Sequence, residues 1–114
     1  MTVLTPQQVT VGGIAPTYTA ATASDSFLAT GPGPYWLHVK NAGGSSDNVV
    51  LDDVVSTDPG SSTSFNPDVT VTVPATTGDR LIKIDPARFK NPGTGAVAWT
   101  HSFTTSVTAA VFYM

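Results

Sequence analysis

The sequence predicts an all-β protein: a single β-sandwich or jelly-roll-like domain of about eight short strands with an extended N-terminal arm. Thr and Val are its commonest residues, 18 and 14 of 114, and β-branched side chains favour strands. Glu is absent and only five residues are Lys or Arg, so amphipathic helices would lack the long unbranched residues of their polar face. Short apolar segments recur between Gly and Pro at near-regular spacing, a pattern typical of sandwiches, jelly rolls and small barrels.

The chain length of 114 residues matches one domain that can bury its own core. We expect an extended arm over residues 1–23 and a sandwich body over residues 24–114. The chain contains no cysteine, which excludes disulfides, thiolate metal sites and a cysteine nucleophile.

Charge and hydropathy exclude two classes of partner. The net charge is −3 and 11% of residues are charged, so the basic surface that nucleic acid requires is missing. No run of 18 apolar residues and no basic-then-apolar leader occurs, so we expect neither a membrane span nor a classical export signal. A surface with few charges is desolvated at low cost, which favours assembly with another protein.

Alternation of apolar and polar residues predicts seven main strands, over residues 25–30, 35–40, 48–55, 68–74, 80–85, 96–103 and 106–113. In the second of them, Tyr35, Leu37 and Val39 fall on one face and are predicted to form core. In the strand at 68–74, three valines should point inward and two threonines outward. Within the arm, Val9 and Val11 predict one further short strand.

Glycine and proline mark the connections between these strands. Gly31-Pro32-Gly33-Pro34 forces a loop, and residues 41–46 are predicted to join the strands at 35–40 and 48–55 into a hairpin. Residues 56–67 are interpreted as a long surface loop. Residues 85–89 are interpreted as a tight turn or a single 3₁₀ turn.

No catalytic constellation emerges from the sequence. The only histidines, His38 and His101, lie inside predicted strands, where we expect them on the outer face. No G-x-S-x-G, H-E-x-x-H or phosphate-loop motif occurs. Asp52 and Asp53 are adjacent, so on a strand they point to opposite faces and cannot act together. We therefore predict no enzyme, no catalytic residue and no cofactor.

Loop oxygens from Asp47, Asp58 or Asp68 would suit a calcium ion, which tolerates irregular geometry. No D-x-D-x-D spacing supports such a site, so solvated aspartates are the simpler interpretation and we predict no metal.

The aromatic residues offer an alternative binding surface. Trp36 and Trp99 would stack on sugar rings if they lay side by side on an exposed face, whereas core packing is the competing interpretation. The other aromatic residues considered for such a surface are Tyr35, Tyr113, Phe89 and Phe112.

Four of the five basic residues fall within eleven positions: Arg80, Lys83, Arg88 and Lys90. They could meet an acidic partner, or they could be solvated or pair with Asp79 and Asp85.

The order of several segments resembles a known family. These segments are LTPQQ at 4–8, GIAPTY at 13–18, LHVKNAGG at 37–44, DVTVTVP at 68–74 and PARF at 86–89. The chain resembles a group of small proteins encoded among the head genes of tailed bacteriophages, several of which resemble capsid decoration (cement) proteins. The resemblance implies a protein that binds the outside of an assembled capsid, often as a trimer, and clamps neighbouring capsomers.

We therefore expect a structural virion protein, made in the host cytoplasm, that binds the major capsid protein on the outer capsid surface as a homo-trimer. The alternatives are a carbohydrate-binding or adhesin module that recognises surface glycans, and a head–tail connector or tail component. The candidate partner contacts are Leu4, Pro6, Val9, Ile14, Pro16, Tyr18, Arg88 and Phe89.

Overall fold

The structure, a computed structural model, describes residues 2–31, 33–53 and 68–113. Its one helix in this part of the chain, α1 at Pro86–Phe89, is a single turn. The strands are β1 Thr2–Leu4, β2 Gln7–Gln8, β3 Thr19–Ala20, β4 Ser24–Leu28, β5 Tyr35–Asn41, β6 Asp47–Leu51, β7 Val69–Val73, β8 Gly78–Ile84, β9 Ala96–His101 and β10 Val107–Tyr113. The predicted all-β class is confirmed.

The strands form two mixed sheets. The first sheet has the order β1-β4-β9-β6-β7, and the second has the order β2-β10-β5-β8, with β3 also paired to β10. The pairs β1–β4 and β10–β2 are parallel, and the remaining pairs are antiparallel. This arrangement is compatible with the predicted β-sandwich, whereas the jelly-roll description stays a prediction.

The core lies between the two sheets and follows the period of two expected of strands. Tyr35, Leu37 and Val39 of β5 are buried, as predicted. The Tyr35 ring packs against Phe27 of the first sheet at a centroid distance of 5.1 Å. The valines of β7 also lie toward the core, as predicted. Val73 is fully buried but Val69 and Val71 only half-buried, because β7 is the outer strand of its sheet among the described residues.

The predicted hairpin over residues 35–55 is wrong. β5 pairs with β10 and β8 in the second sheet, whereas β6 pairs with β7 and β9 in the first, so residues 42–46 cross between sheets. The Asn41 side chain shapes this crossing, since its Nδ2 donates to the carbonyls of Ser45 at 2.8 Å and Val73 at 3.3 Å. A short glycine-containing loop suits a hairpin and a crossover equally well, and the long-range bond to Val73 is invisible in the local sequence.

The segment at 85–89 ends β8 as predicted, although it forms one α-helical turn rather than a 3₁₀ turn. Asp85 is its N-cap and accepts from the Ala87 amide at 3.0 Å, and Pro86 occupies the first helical position, where its missing N–H costs nothing. The predicted loop at 56–67 and the end of the predicted strand at 54–55 lie outside the described residues.

The N-terminal residues form three short strands that pair with both sheets. The strand predicted at Val9 and Val11 is wrong, because the paired segments flank these residues and both valines are exposed. The chain instead inserts Leu4, 6% exposed, into the core and then crosses to the second sheet. The proposed boundary between arm and body at residue 23 stays a prediction.

The packing of β1 can be tested with neighbouring substitutions. We expect Leu4→Ala to lower the free energy of unfolding by about 2–4 kcal/mol, because it leaves a cavity in the core. Val3→Ala is the matched control, since Val3 is 60% exposed and should change stability by less than about 0.5 kcal/mol. Urea unfolding measures both, and equal effects would show that β1 is not docked.

Candidate functional site

A loop formed by residues 9–16, here called the N-terminal loop, projects between β2 and β3. One side chain closes its base: Nε2 of Gln7 donates to the Thr17 carbonyl at 2.8 Å, and Oε1 of Gln7 accepts from the Thr17 amide at 2.9 Å. The Val9 amide donates to the Tyr113 carbonyl at 2.8 Å. The loop is therefore tied to the body at both ends.

The tip of the N-terminal loop is apolar. The Gly13 amide donates to the Thr10 carbonyl at 2.9 Å, and Gly13 has φ of +84°, a conformation that glycine adopts at no steric cost. This turn leaves Val11 fully exposed and Val9 40% exposed. No residue from 9 to 16 is charged, so the loop offers apolar surface that could be desolvated at low cost.

Tyr18 fastens the returning end of the loop to the outer face of the second sheet. Its hydroxyl bonds Nδ1 of His38 at 2.7 Å, and its ring packs edge-on against His38 and Phe112. Lys40 Nζ lies 4.3 Å from the Tyr18 ring centroid, which adds a cation–π contact.

His38 lies on the outer face, as predicted, partly covered by Tyr18. Nε2 of His38 bonds the Asp79 carboxylate. Because a carboxylate only accepts, Nε2 carries a proton and donates it to Asp79.

The second histidine departs from prediction. His101, expected on the outer face, points into the core, and its side chain is fully buried together with those of Asp25 and Asp47. It occupies the same alternating positions of β9 as the buried Val97 and Trp99. We call Asp25, Asp47, Trp99 and His101 the buried network.

The geometry of the buried network fixes the tautomer of His101. The Trp99 indole N–H donates to Nε2 at 3.0 Å, and an indole can only donate, so Nε2 is the acceptor. Nδ1 then carries the proton and donates to Asp47 Oδ2 at 2.6 Å. Asp25 Oδ2 lies 3.4 Å from Nε2. Burial of these groups requires that each has hydrogen-bond partners.

Both carboxylates of the buried network also hold backbone. Oδ1 of Asp25 accepts from the Thr2 amide at 3.3 Å, and Oδ2 accepts from the Thr22 amide at 3.1 Å. One carboxylate therefore ties together the two ends of residues 2–22. Oδ1 of Asp47 accepts from the amides of Ser102 at 3.0 Å and Phe103 at 3.2 Å, which fixes the turn after β9.

A third buried carboxylate, Asp53, pairs with Arg88 Nε at 2.7 Å. Arg88 thus bonds Asp53 rather than Asp79 or Asp85, while Arg80 donates to the Asp79 carbonyl at 2.8 Å. Neighbouring Asp52 is only half-buried. Its pKa is raised above the ordinary value by burial and, secondarily, by the negative charge of Asp68.

The predicted contact residues divide by exposure. The structure corrects two of them. The side chains of Leu4 and Phe89 are only 6% and 5% exposed, so both belong to the core and neither is available to a partner. Val9 and Pro16 are exposed. The half-buried remainder consists of Pro6, Ile14, Tyr18 and Arg88. Val11 was not among the predicted contacts and is fully exposed, although its position beside Gly12-Gly13 marks it as a turn residue that no core covers.

The aromatic pair suggested for sugar binding is also wrong. Trp99 is fully buried in the first sheet, whereas Trp36 lies on the outer face of the second. Of the aspartates considered for calcium, Asp47 is engaged by His101 and Asp58 lies outside the described residues. Within those residues, no group of three or more His or Asp side chains could hold a metal ion, and no helix has the length and hydrophobicity to cross a bilayer.

The buried network predicts a large stability effect. We expect Asp47→Ala to lower the free energy of unfolding by about 3–5 kcal/mol, because it leaves the His101 N–H and two amides without their acceptor. Exposed Ser46→Ala, at the adjacent position, should change it by less than about 0.5 kcal/mol. Chemical denaturation distinguishes them, and a small loss in the Asp47 variant would contradict the network.

Replacement of Asp52 is predicted to stabilise the fold, unlike replacement of Asp47, and by an amount that depends on pH. Because its folded pKa lies above the ordinary 3.8, its ionisation destabilises the fold as pH rises through that window. Asp52→Asn should therefore be the more stable protein at pH 7, by less than about 1 kcal/mol since solvent screens this group. The advantage should shrink as pH falls toward 3.8. Thermal unfolding across pH measures it, and a pH-independent difference would refute the assignment.

No protein-family model, no curated protein sequence and no solved structure matches the chain.

Proposed function

We propose that the chain is a structural virion protein, a capsid decoration subunit that binds the outer surface of an assembled phage head and stabilises capsomer contacts. The segment order that resembles phage head proteins suggests this role. The observation that carries it here is the N-terminal loop: an uncharged, apolar tip held outside the sandwich by Gln7 and Tyr18.

A rigidly held loop is suited to docking because little conformational entropy is lost on binding. Burying Val11 alone, fully exposed in the free chain, would contribute about 1.5–3 kcal/mol. One such anchor gives weak binding. A homo-trimer would strengthen the binding, because the second and third anchors would act at a high effective concentration. Occupation of many equivalent sites would also favour the assembled shell by mass action.

Strand addition at the β8 edge is a less suitable docking mode. β8 is the outer strand of the second sheet among the described residues. It carries exposed Asp79, Arg80 and Lys83, and charged side chains on an edge oppose pairing with another chain. We therefore assign contact with the major capsid protein to the N-terminal loop, with an apolar pocket of the shell as its counterpart.

The decisive experiment is a change at the loop tip. We expect Val11→Asp to lower affinity for purified capsids lacking the protein by at least about tenfold, because a carboxylate would replace an apolar anchor in the buried contact. Occupancy on particles, measured by sedimentation and gel densitometry, gives the affinity.

The control is Thr94→Asp, which adds the same charge at an exposed turn and should leave occupancy unchanged. A tip substitution is preferable to deleting residues 1–16, since deletion also removes core residue Leu4 and the Thr2 bond to Asp25. Equal occupancy of the Val11 variant and wild type would overturn the proposal.

A further inference from the structure

A depression of about 350 Å³ opens at one end of the second sheet, where the loop before β5 meets the end of β8. It is lined by Gly33, Pro34, Lys83, Ile84, Asp85 and Pro86. Its volume falls at the small end of the range for ligand sites in proteins, about 300–1,000 Å³. It is separate from the N-terminal loop, none of whose residues line it.

An aromatic surface adjoins the depression. Lys83 of β8 lies directly opposite Trp36 of β5, and Trp36 lies directly opposite Phe112 of β10. Side chains in such positions are neighbours, with Cβ atoms about 4.5–5.5 Å apart. Trp36 and Phe112 are half-buried on the outer face, so the fold does not enclose them. The register places these two aromatic residues in line with Lys83, and we call them the Trp36–Phe112 floor.

The polar groups of the depression are one donor and one acceptor. Lys83 is exposed and carries three N–H donors. Asp85 Oδ1 accepts from the Ala87 amide at 3.0 Å, which holds the carboxylate in place while Oδ2 keeps its capacity to accept. The two charges balance, so the depression favours a neutral ligand over an anion or a cation.

A sugar ring matches this combination of groups. One face of a hexopyranose is lined by C–H groups that pack on aromatic rings, and its vicinal hydroxyls both donate and accept, so they can bond a carboxylate and an ammonium together. We propose that this depression, with the Trp36–Phe112 floor, binds a neutral saccharide. Lys83 and Asp85 contact its hydroxyls and Trp36 stacks on its apolar face.

The site does not depend on the proposed capsid role. The aromatic partner of Trp36 is Phe112, on the neighbouring strand, and not Trp99, which the core encloses. A module that binds sugars here could sit on a particle, since the depression and the N-terminal loop use different residues.

Titration of ¹⁵N-labelled protein with neutral hexoses and their disaccharides, against uronic acids and amino sugars, tests the proposal. We expect neutral sugars to shift the amide resonances of residues 33–36 and 83–86 and the indole N–H of Trp36, leaving the buried Trp99 indole unchanged. Trp36→Ala and Lys83→Met should each weaken binding at least about tenfold, the ratio that 1.4 kcal/mol represents.

Lys40→Met is the matched control, because Lys40 is on the same face of β5 but contacts Tyr18, and it should bind sugar like wild type. The Trp99 indole resonance reports whether each variant is folded, and Trp36→Phe, which keeps an aromatic ring, should retain most binding. Tighter binding of a charged sugar, shifts mapping elsewhere, or no shift with any sugar would each overturn the site. Val11→Asp should bind sugar normally, which separates this result from the capsid test.

Discussion

The structure depends on two carboxylates that are buried beside one histidine. Asp25 and Asp47 are fully buried on either side of His101, and groups of this kind are tolerated in a core only when their oxygens are hydrogen-bonded. Asp47 accepts from His101 through Oδ2 and from two backbone amides through Oδ1. Asp25 accepts from the amides of Thr2 and Thr22, so one side chain joins the two ends of the N-terminal segment.

That constraint explains how an apolar loop is presented on a protein of low charge. The segment between Thr2 and Thr22 passes from the first sheet to the second and back, and its ends meet at Asp25. The bonds of Gln7 and Tyr18 fasten the residues on either side of the N-terminal loop, so only the loop itself projects from the sandwich. An apolar tip on a mobile arm would lose entropy on docking, whereas a held tip has already lost it during folding. The buried network and the exposed loop are thus two parts of one arrangement.

The sequence predicted what depends on local alternation and missed what depends on distant pairing. The inward face of β5 and the valines of β7 followed from a period of two. The same period of two contained a signal for the buried network. His101 shares the inward positions of β9 with Val97 and Trp99, and Asp47 shares those of β6 with Val49 and Leu51. Which histidine meets which carboxylate could not be predicted, because Asp47 and His101 are 54 positions apart. The crossover after β5 was missed for the same reason: its turn residues suit both connections.

The central claim is that the N-terminal segment is an integral, cooperatively held part of the fold. Native-state hydrogen exchange of the amides of Thr2, Val9, Thr17 and Thr22 tests it most directly, because each donates to a named acceptor within the fold. The account predicts that these amides are protected and exchange with one common free energy, as members of a single cooperative unit do. Exchange of all four at the rate of an unfolded chain, while the β5 amides remain protected, would contradict it.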